Sequence, residues 1–298
     1  MYLKDIIRGR NTMNIMMGIN NKYVFPTKVM LTSLCENNKF EKHFVYILYD
    51  RKNLTKENIE SIKILEKQYE IEICPIEIDA ELFANCPTDF HLSIETYFRF
   101  MTQEVLPESV DRVLWLDADI IINKCLKEFY YQDFDDKAIV VCRTSNNKAE
   151  EFLKKLELNP KVGYFNAGVI LFDLDNIRKK ITTQTFFDCL EENREKIVWL
   201  DQDVLNIVFA DDKKLLEQQV YNFTFFSDTL FSKDELEKIK QEIYILHYIG
   251  AEKPWDSTYQ NTTIKIFRHY ARKQENLFES LKFEISYLWK CTLRKLRG

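Results

Sequence analysis

The chain has 298 residues, 42 of them basic and 47 acidic, so its formal net charge of −5 gives no global case for nucleic-acid binding. With 46 % hydrophobic residues and only six glycines and six prolines, it is neither disordered nor collagen-like nor a flexible linker. Glycine is scarce enough that G-x-G-x-x-G and P-loop cradles can be excluded by inspection, and any bound nucleotide must be held by other means.

In chain order, Asn14–Ile19 is a short apolar run that predicts a strand, stopped by Asn20-Asn21-Lys22. Val24–Leu34 carries apolar residues at helical spacing, His43–Tyr49 reads as a buried strand, and Thr55–Tyr69 has a helix stripe at positions 59, 62, 65 and 69. Ile71–Ile78 alternates as a strand. This β-α-β-α-β order predicts a mainly parallel sheet with helices on its faces. A helix follows at Ile94–Val105, then a buried strand at Arg112–Leu116. The second half reads as strands at Ala138–Cys142, Val169–Phe172 and Tyr244–Tyr248. Its helices are expected near Ala149–Leu156, Thr182–Asn193 and Gln202–Phe209. Ser232 and Glu235 form a capping-box pattern that opens a further helix to about Gln241.

Seven scattered cysteines, with no C-x-x-C pair, read as reduced thiols. No apolar run has the length of a membrane span, and Met1–Asn14 lacks a signal-peptide core. A cytoplasmic protein is expected. Arg272–Gly298 carries apolar residues at helical spacing and a cationic end at Lys290, Arg294, Lys295 and Arg297. Two readings stand: an interfacial helix for anionic lipid, or a terminal helix packed on the core.

The sharpest chemical feature is RVLWLDADIII at Arg112–Ile122. Asp117 and Asp119 follow a buried strand at i and i+2, on one side of an extended backbone. At the carboxyl edge of an open α/β sheet they would suit Mg²⁺ or Mn²⁺; the alternative is an ordinary turn. His247, at a strand end before Gly250 and Lys253, could add a softer third ligand that favours Mn²⁺, or be structural. Tyr164-Phe165-Asn166-Ala167-Gly168 offers an amide and close backbone suited to a sugar edge. Leu200-Asp201-Gln202-Asp203 opens a helix, where the acids could simply cap it. Arg99 could meet phosphate or hydroxyls, or pair with a carboxylate.

Taken in order, these segments resemble glycosyltransferase family 8. The resemblance is carried by Gly18-Ile19-Asn20, by S-x-E-T-Y-x-R at Ser93–Arg99 and by LWLDADIII at Leu114–Ile122. It continues through F-N-A-G-V at Phe165–Val169, L-D-Q-D-V-L-N at Leu200–Asn206 and H-Y-I-G-x-x-K-P-W at His247–Trp255. It implies a single GT-A-like, Rossmann-like nucleotide-diphospho-sugar transferase domain, 13–271, with one mixed, mainly parallel sheet and a helical appendage, 272–298. It implies a Mn²⁺-dependent, retaining hexosyltransferase acting on a UDP-sugar (galactose or glucose) and on an oligosaccharide or lipid-linked acceptor of a bacterial lipopolysaccharide or surface polysaccharide. Asp117, Asp119 and His247 would hold the metal, and Gly250 and Lys253 would meet the diphosphate. Arg99, Asn166, Ala167 and Asp201 would hold the donor sugar, with Gln202 near the reacting face. Ile19, Asn20, Tyr23 and Ala118 would complete the nucleotide pocket. The basic tail would reach the inner face of the plasma membrane.

Where family members commonly carry an acid in the first β-to-α loop, this chain has Asn20, which can still hydrogen-bond to base or ribose. Gln202 is an amide and a poor nucleophile, so front-side transfer is expected, with the departing phosphate taking the acceptor proton. A non-catalytic sugar- or nucleotide-binding module is the rival class, and it would not need two carboxylates and a histidine converging. A nucleotidyltransferase would need a basic, glycine-rich N-terminal loop, which Met17–Lys22 is not.

Overall fold

The computed structural model describes residues 12–39, 42–88, 93–144, 148–217, 219–256 and 259–274, with Ile285 alone beyond them. The strands among these residues are β1 (Thr12–Gly18), β2 (Lys42–Tyr49), β3 (Ile71–Glu77), β4 (Arg112–Leu116), β5 (Ile120–Ile122), β6 (Ile139–Cys142), β7 (Val169–Asp173), β8 (Lys213–Leu216), β9 (Phe223–Phe225) and β10 (Ile245–Tyr248). Seven form one sheet in the order β3-β2-β1-β4-β7-β6-β8. All neighbours run parallel except β7, which opposes both β4 and β6. The expected single sheet is therefore joined by a second, of order β5-β10-β9.

Strand periodicity builds the core on both faces of the large sheet. Met13, Ile15 and Met17 of β1, Val45 and Ile47 of β2, and Leu114 and Leu116 of β4 point to one side. Met16, Phe44, Tyr46, Val113 and Trp115 point to the other. On the first side the Val24–Asn37 helix packs Met30, Leu31 and Leu34. The second is covered by Ile94–Met101 and by the helices Leu174–Lys180, Thr183–Glu192 and Leu200–Val208. Both faces are dry, which is why these strands read as near-continuous apolar runs.

The predicted elements are present, with two changes of winding. Thr55–Tyr69 is α-helical only over Lys56–Lys63 and tightens to a 3₁₀ turn at Ile64–Lys67. Ile94–Met101 is 3₁₀, becoming α-helical only at Thr102–Val105. The Ser232/Glu235 capping box forms as read. β8, β9, the Leu174–Lys180 helix and the Ile264–Ala271 helix were not anticipated. The tail expected to be interfacial, Arg272–Gly298, lies outside the described residues except at 272–274 and Ile285. Among the described residues no helix is long and apolar enough to cross a membrane.

Candidate active site

The D-x-D turn crosses between the two sheets. Leu116 ends β4 in the large sheet, and Ile120 starts β5 in the small one. Backbone pairing fixes both ends: Asp117 N donates to Gly168 O (2.9 Å) before β7, and Tyr248 N donates to Asp119 O (3.0 Å) on β10. His247 pairs in register with Ile120. Each carboxylate is thus set against a strand whose residues come from far along the chain.

The ligand atoms of Asp117, Asp119 and His247 all lie within 4.8 Å of one another. His247 Nε2 stands 3.2 Å from Asp119 Oδ1 and 3.9 Å from Asp117 Oδ2. Asp119 Oδ1 is buried and accepts no hydrogen bond, a costly state for a carboxylate oxygen unless a cation takes it. Two carboxylates and an imidazole form a donor set that fits Mn²⁺. Burial pushes the Asp119 carboxyl up, but Lys253 and His247 outweigh burial and hold it below its ordinary range. Lys253 Nζ donates to Asp119 Oδ2 (2.6 Å) and to Tyr248 O (2.7 Å).

Arg99, 4 % exposed, ties this cluster to the next. Its Nη2 meets Asp117 Oδ1 (2.9 Å), its Nε lies 3.1 Å from Asp201 Oδ2, and Nη1 donates to Ala167 O. The guanidinium also lies over the Trp115 ring, 4.7 Å from its centroid, a favourable cation–π arrangement. The tight 3₁₀ winding eclipses positions three apart, so Thr96 and Arg99 present side chains along one line. Thr96 Oγ1 donates to Asp201 Oδ1 at 2.6 Å. Burial pushes the Asp201 carboxyl up to about 6, against the pull of Arg99 and the Thr96 hydroxyl.

Neither acid of Asp201-Gln202-Asp203 caps its helix. Leu200 enters in the left-handed region, φ 46°, a conformation that needs support. Asp203 supplies it by accepting from Val198 N (2.7 Å) and Trp199 N (2.8 Å). The same carboxylate takes the Tyr164 hydroxyl at 2.5 Å. Gln202 Oε1 accepts from Asn166 Nδ2 (2.8 Å) and Ala167 N (3.1 Å).

The remaining expected residues have these surroundings. Asn20 Nδ2 donates to Ser93 Oγ and Glu95 Oε2 while its Oδ1 accepts from Lys22 N. Tyr23 packs edge-on to Trp255 at 5.9 Å, and burial followed by Asp119 and Asp117 raises its phenol. Ile19 and Ala118 are buried among the apolar core. Gly250 adopts φ 89° on the loop before Lys253, a backbone that favours glycine. Thr96, Trp115, Tyr164 and Asn222 were not assigned roles from sequence. Thr96, Trp115 and Tyr164 lie inside the segments quoted for the resemblance or the sugar edge, and Asn222 is a polar residue in the run Tyr221–Phe225.

The model of Glycosyl transferase family 8 matches residues 14–259. A lipopolysaccharide 1,2-glucosyltransferase of Escherichia coli is 29 % identical over 87 % of this chain and 78 % of its own length. A lipopolysaccharide 1,3-galactosyltransferase of Salmonella typhimurium is 28 % identical over 82 % of this chain and 73 % of its own. The crystal structure of the galactosyltransferase LgtC, in complex with donor and acceptor sugar analogs, superposes with a TM-score of 0.78 at 21 % identity, covering 91 % of this chain and 99 % of that one. That likeness shows the same fold.

Two outcomes are expected. A Cβ at Gly168 would stand 2.1 Å from His247 Cε1 and 2.9 Å from Asp117 Oδ2. Gly168→Ala should therefore destabilise the protein by roughly 1–3 kcal/mol, read by thermal unfolding. Asp201 is raised from its ordinary 3.8 to about 6, so the native state binds the extra proton across that window. Its contribution to stability is full below about pH 4 and is lost as pH rises through 6. Urea unfolding should show that falling limb in the wild type and a flatter profile in Asp201→Asn.

Proposed function

The chain belongs to glycosyl transferase family 8 and is a glycosyltransferase, and we propose that it transfers a hexose from a UDP-sugar to a bacterial surface glycan with retention of configuration, in a Mn²⁺-dependent reaction. The observation that carries this reading is the convergence of Asp117, Asp119 and His247, with Asp119 Oδ1 buried and unpartnered. Asp117, Asp119 and His247 would hold the ion, which when bound supplies positive charge against the leaving nucleoside diphosphate. Mg²⁺ could occupy the same oxygens, but the imidazole favours Mn²⁺.

The chain's own groups then divide the work. Lys253, already turned toward Asp119, is the point charge for the diphosphate. Arg99, Asn166, Ala167 and Asp201 hold the donor sugar, and Gln202 lies beside its reacting face. Ile19, Asn20, Tyr23, Ala118 and Gly250 line the nucleotide end. Front-side transfer, with the acceptor proton passing to the departing phosphate oxygen, is supported by how the nearby acids are spent. Asp201 is engaged by Thr96 and Arg99, and Asp203 by Tyr164 and two backbone amides. The relatives that act on lipopolysaccharide suggest a lipid-linked or oligosaccharide acceptor. A catalytic unit of residues 13–271 with a tail, 272–298, that meets anionic lipid belongs to the same proposal, supported by the cationic run Lys290–Arg297.

The test is a panel of UDP-sugars scored for UDP release with Mn²⁺ or EDTA. One UDP-hexose should be turned over, EDTA should abolish that turnover, and Asp119→Ala should reduce it by about 100-fold or more. Activity that survives both changes overturns the metal assignment. Intact-protein mass spectrometry with a slow donor should show no glycosyl adduct; one trapped on Asp201 or Asp203 would replace front-side transfer with double displacement.

A further inference from the structure

Asn222, 3 % exposed, stands behind His247 on the side away from the carboxylates, with its Oδ1 2.9 Å from His247 Nδ1. Which atom of each side-chain amide faces which neighbour can be deduced here, because each amide touches a backbone group of only one polarity. Asn222 Nδ2 lies 3.2 Å from Asn166 O, a carbonyl that can only accept. The nitrogen must be on that side, which leaves Oδ1 toward the imidazole. Asn166 Oδ1 faces Gly168 N at 3.0 Å, and Gln202 Oε1 faces Ala167 N at 3.1 Å, both obligate donors. The hydrogen bonds therefore run one way. His247 Nδ1 donates to Asn222, Asn222 Nδ2 to Asn166 Oδ1 (3.0 Å), Asn166 Nδ2 to Gln202 Oε1 (2.8 Å), Gln202 Nε2 to Tyr164 OH (2.9 Å), and Tyr164 OH to Asp203.

From this chain we infer that Asn222 is a positioning residue that locks His247 as the Nδ1–H tautomer, baring Nε2 toward Asp119, and holds the metal-ligand set in register with Gln202. The inference deepens the metal reading above and rests on it for its consequence, though not for the tautomer. The two ends of Asn222 have separable duties. Its oxygen serves the metal ligand, since an acceptor on Nδ1 fixes both ring orientation and lone pair. Its nitrogen serves Asn166, and through it the amide at the reacting face.

The experiment uses the full chain with ring-¹⁵N histidine, assigning His247 by its loss in His247→Gln. Long-range ¹H–¹⁵N correlation reports the tautomer, and calorimetry with Mn²⁺ alone reports affinity without any turnover. Wild type should carry its proton on Nδ1. Asn222→Ala should lose that preference and bind Mn²⁺ about 10–100-fold more weakly. Asn222→Asp keeps the acceptor and discards the donor, so it should retain both tautomer and Mn²⁺ affinity while kcat falls. A wild-type proton on Nε2 overturns the inference with no variant needed, as does Asn222→Ala with unchanged tautomer and affinity. If Asn222→Ala does not fold, the wild-type tautomer and Asn222→Asp decide. Should the tautomer depend on Asn222 while no form binds Mn²⁺, the metal reading fails and the assignment of Asn222 stands.

Discussion

A guanidinium cannot be sealed inside a protein without partners that nearly cancel its charge, and Arg99 is sealed. Its neighbours are two carboxylates from distant parts of the chain, Asp117 and Asp201, together with the Ala167 carbonyl and the Trp115 ring. Removing the arginine would leave the buried Asp201 carboxylate without its cation, beside the half-buried Asp117; removing either acid would leave a cation underpaired. The 3₁₀ segment, the end of β4, the turn before β7 and the start of the Leu200–Val208 helix are therefore bound to one another by electrostatics. With Asp119 and Lys253 added, three carboxylates face two fixed cations. That leaves one negative charge among these five side chains.

Topology explains why these groups meet. In a wholly parallel sheet the carboxyl end of β4 would be flanked by other carboxyl ends. Because β7 runs the other way, its amino end lies there instead, bringing Gly168, Ala167 and Asn166 beside Asp117. The chain then leaves the large sheet through the D-x-D turn, and β5 pairs with β10 in the small sheet, which delivers His247. Glycine at 168 is what allows the two deliveries to coincide, since any Cβ would occupy the space of the imidazole.

Much of this was legible in the chain before folding, for identifiable reasons. The β1, β2 and β4 runs are buried on both faces, so their apolar content is dense enough to read directly. Asp117 and Asp119 stood out because carboxylates inside an apolar run need a partner, and His247 was joined to them by the family resemblance. What escaped did so by being short or mixed. β9 is three residues long, and β8 begins Lys213-Lys214, where the first lysine is buried with its ammonium on the Phe209 and Ala210 carbonyls. The second sheet escaped because Ile120–Ile122 looks like a continuation of β4, and only pairing with β10 reveals the change of sheet. For Asp201 and Asp203 the local pattern left capping open, and their partners at Thr96, 105 residues upstream, and Tyr164, 39 upstream, are too far along the chain for it to reveal.

Most of the sealed polar groups around the site are already engaged; Asp119 Oδ1 and Asp201 Oδ2 accept no hydrogen bond, and Arg99 compensates the second as an ion pair. Asp203 accepts three hydrogen bonds, Gln202 Oε1 accepts two, Asn166 is engaged at both ends, and Asp201 is shared between a hydroxyl and a guanidinium. Such groups are held too firmly to reorganise cheaply during a reaction, and that rigidity is what a preorganised electrostatic site requires. Asp119 Oδ1 is buried, accepts no hydrogen bond, and faces His247 Nε2, while Asn222 holds the other ring nitrogen. The two atoms stand 3.2 Å apart, and the hydrogen bonds on Asp119 Oδ2 and His247 Nδ1 prevent either side chain from turning away. A cation at that point would be within reach of both atoms. The firmly held network around Asp117, Asp119 and His247 is therefore what keeps their ligand atoms converged on one point.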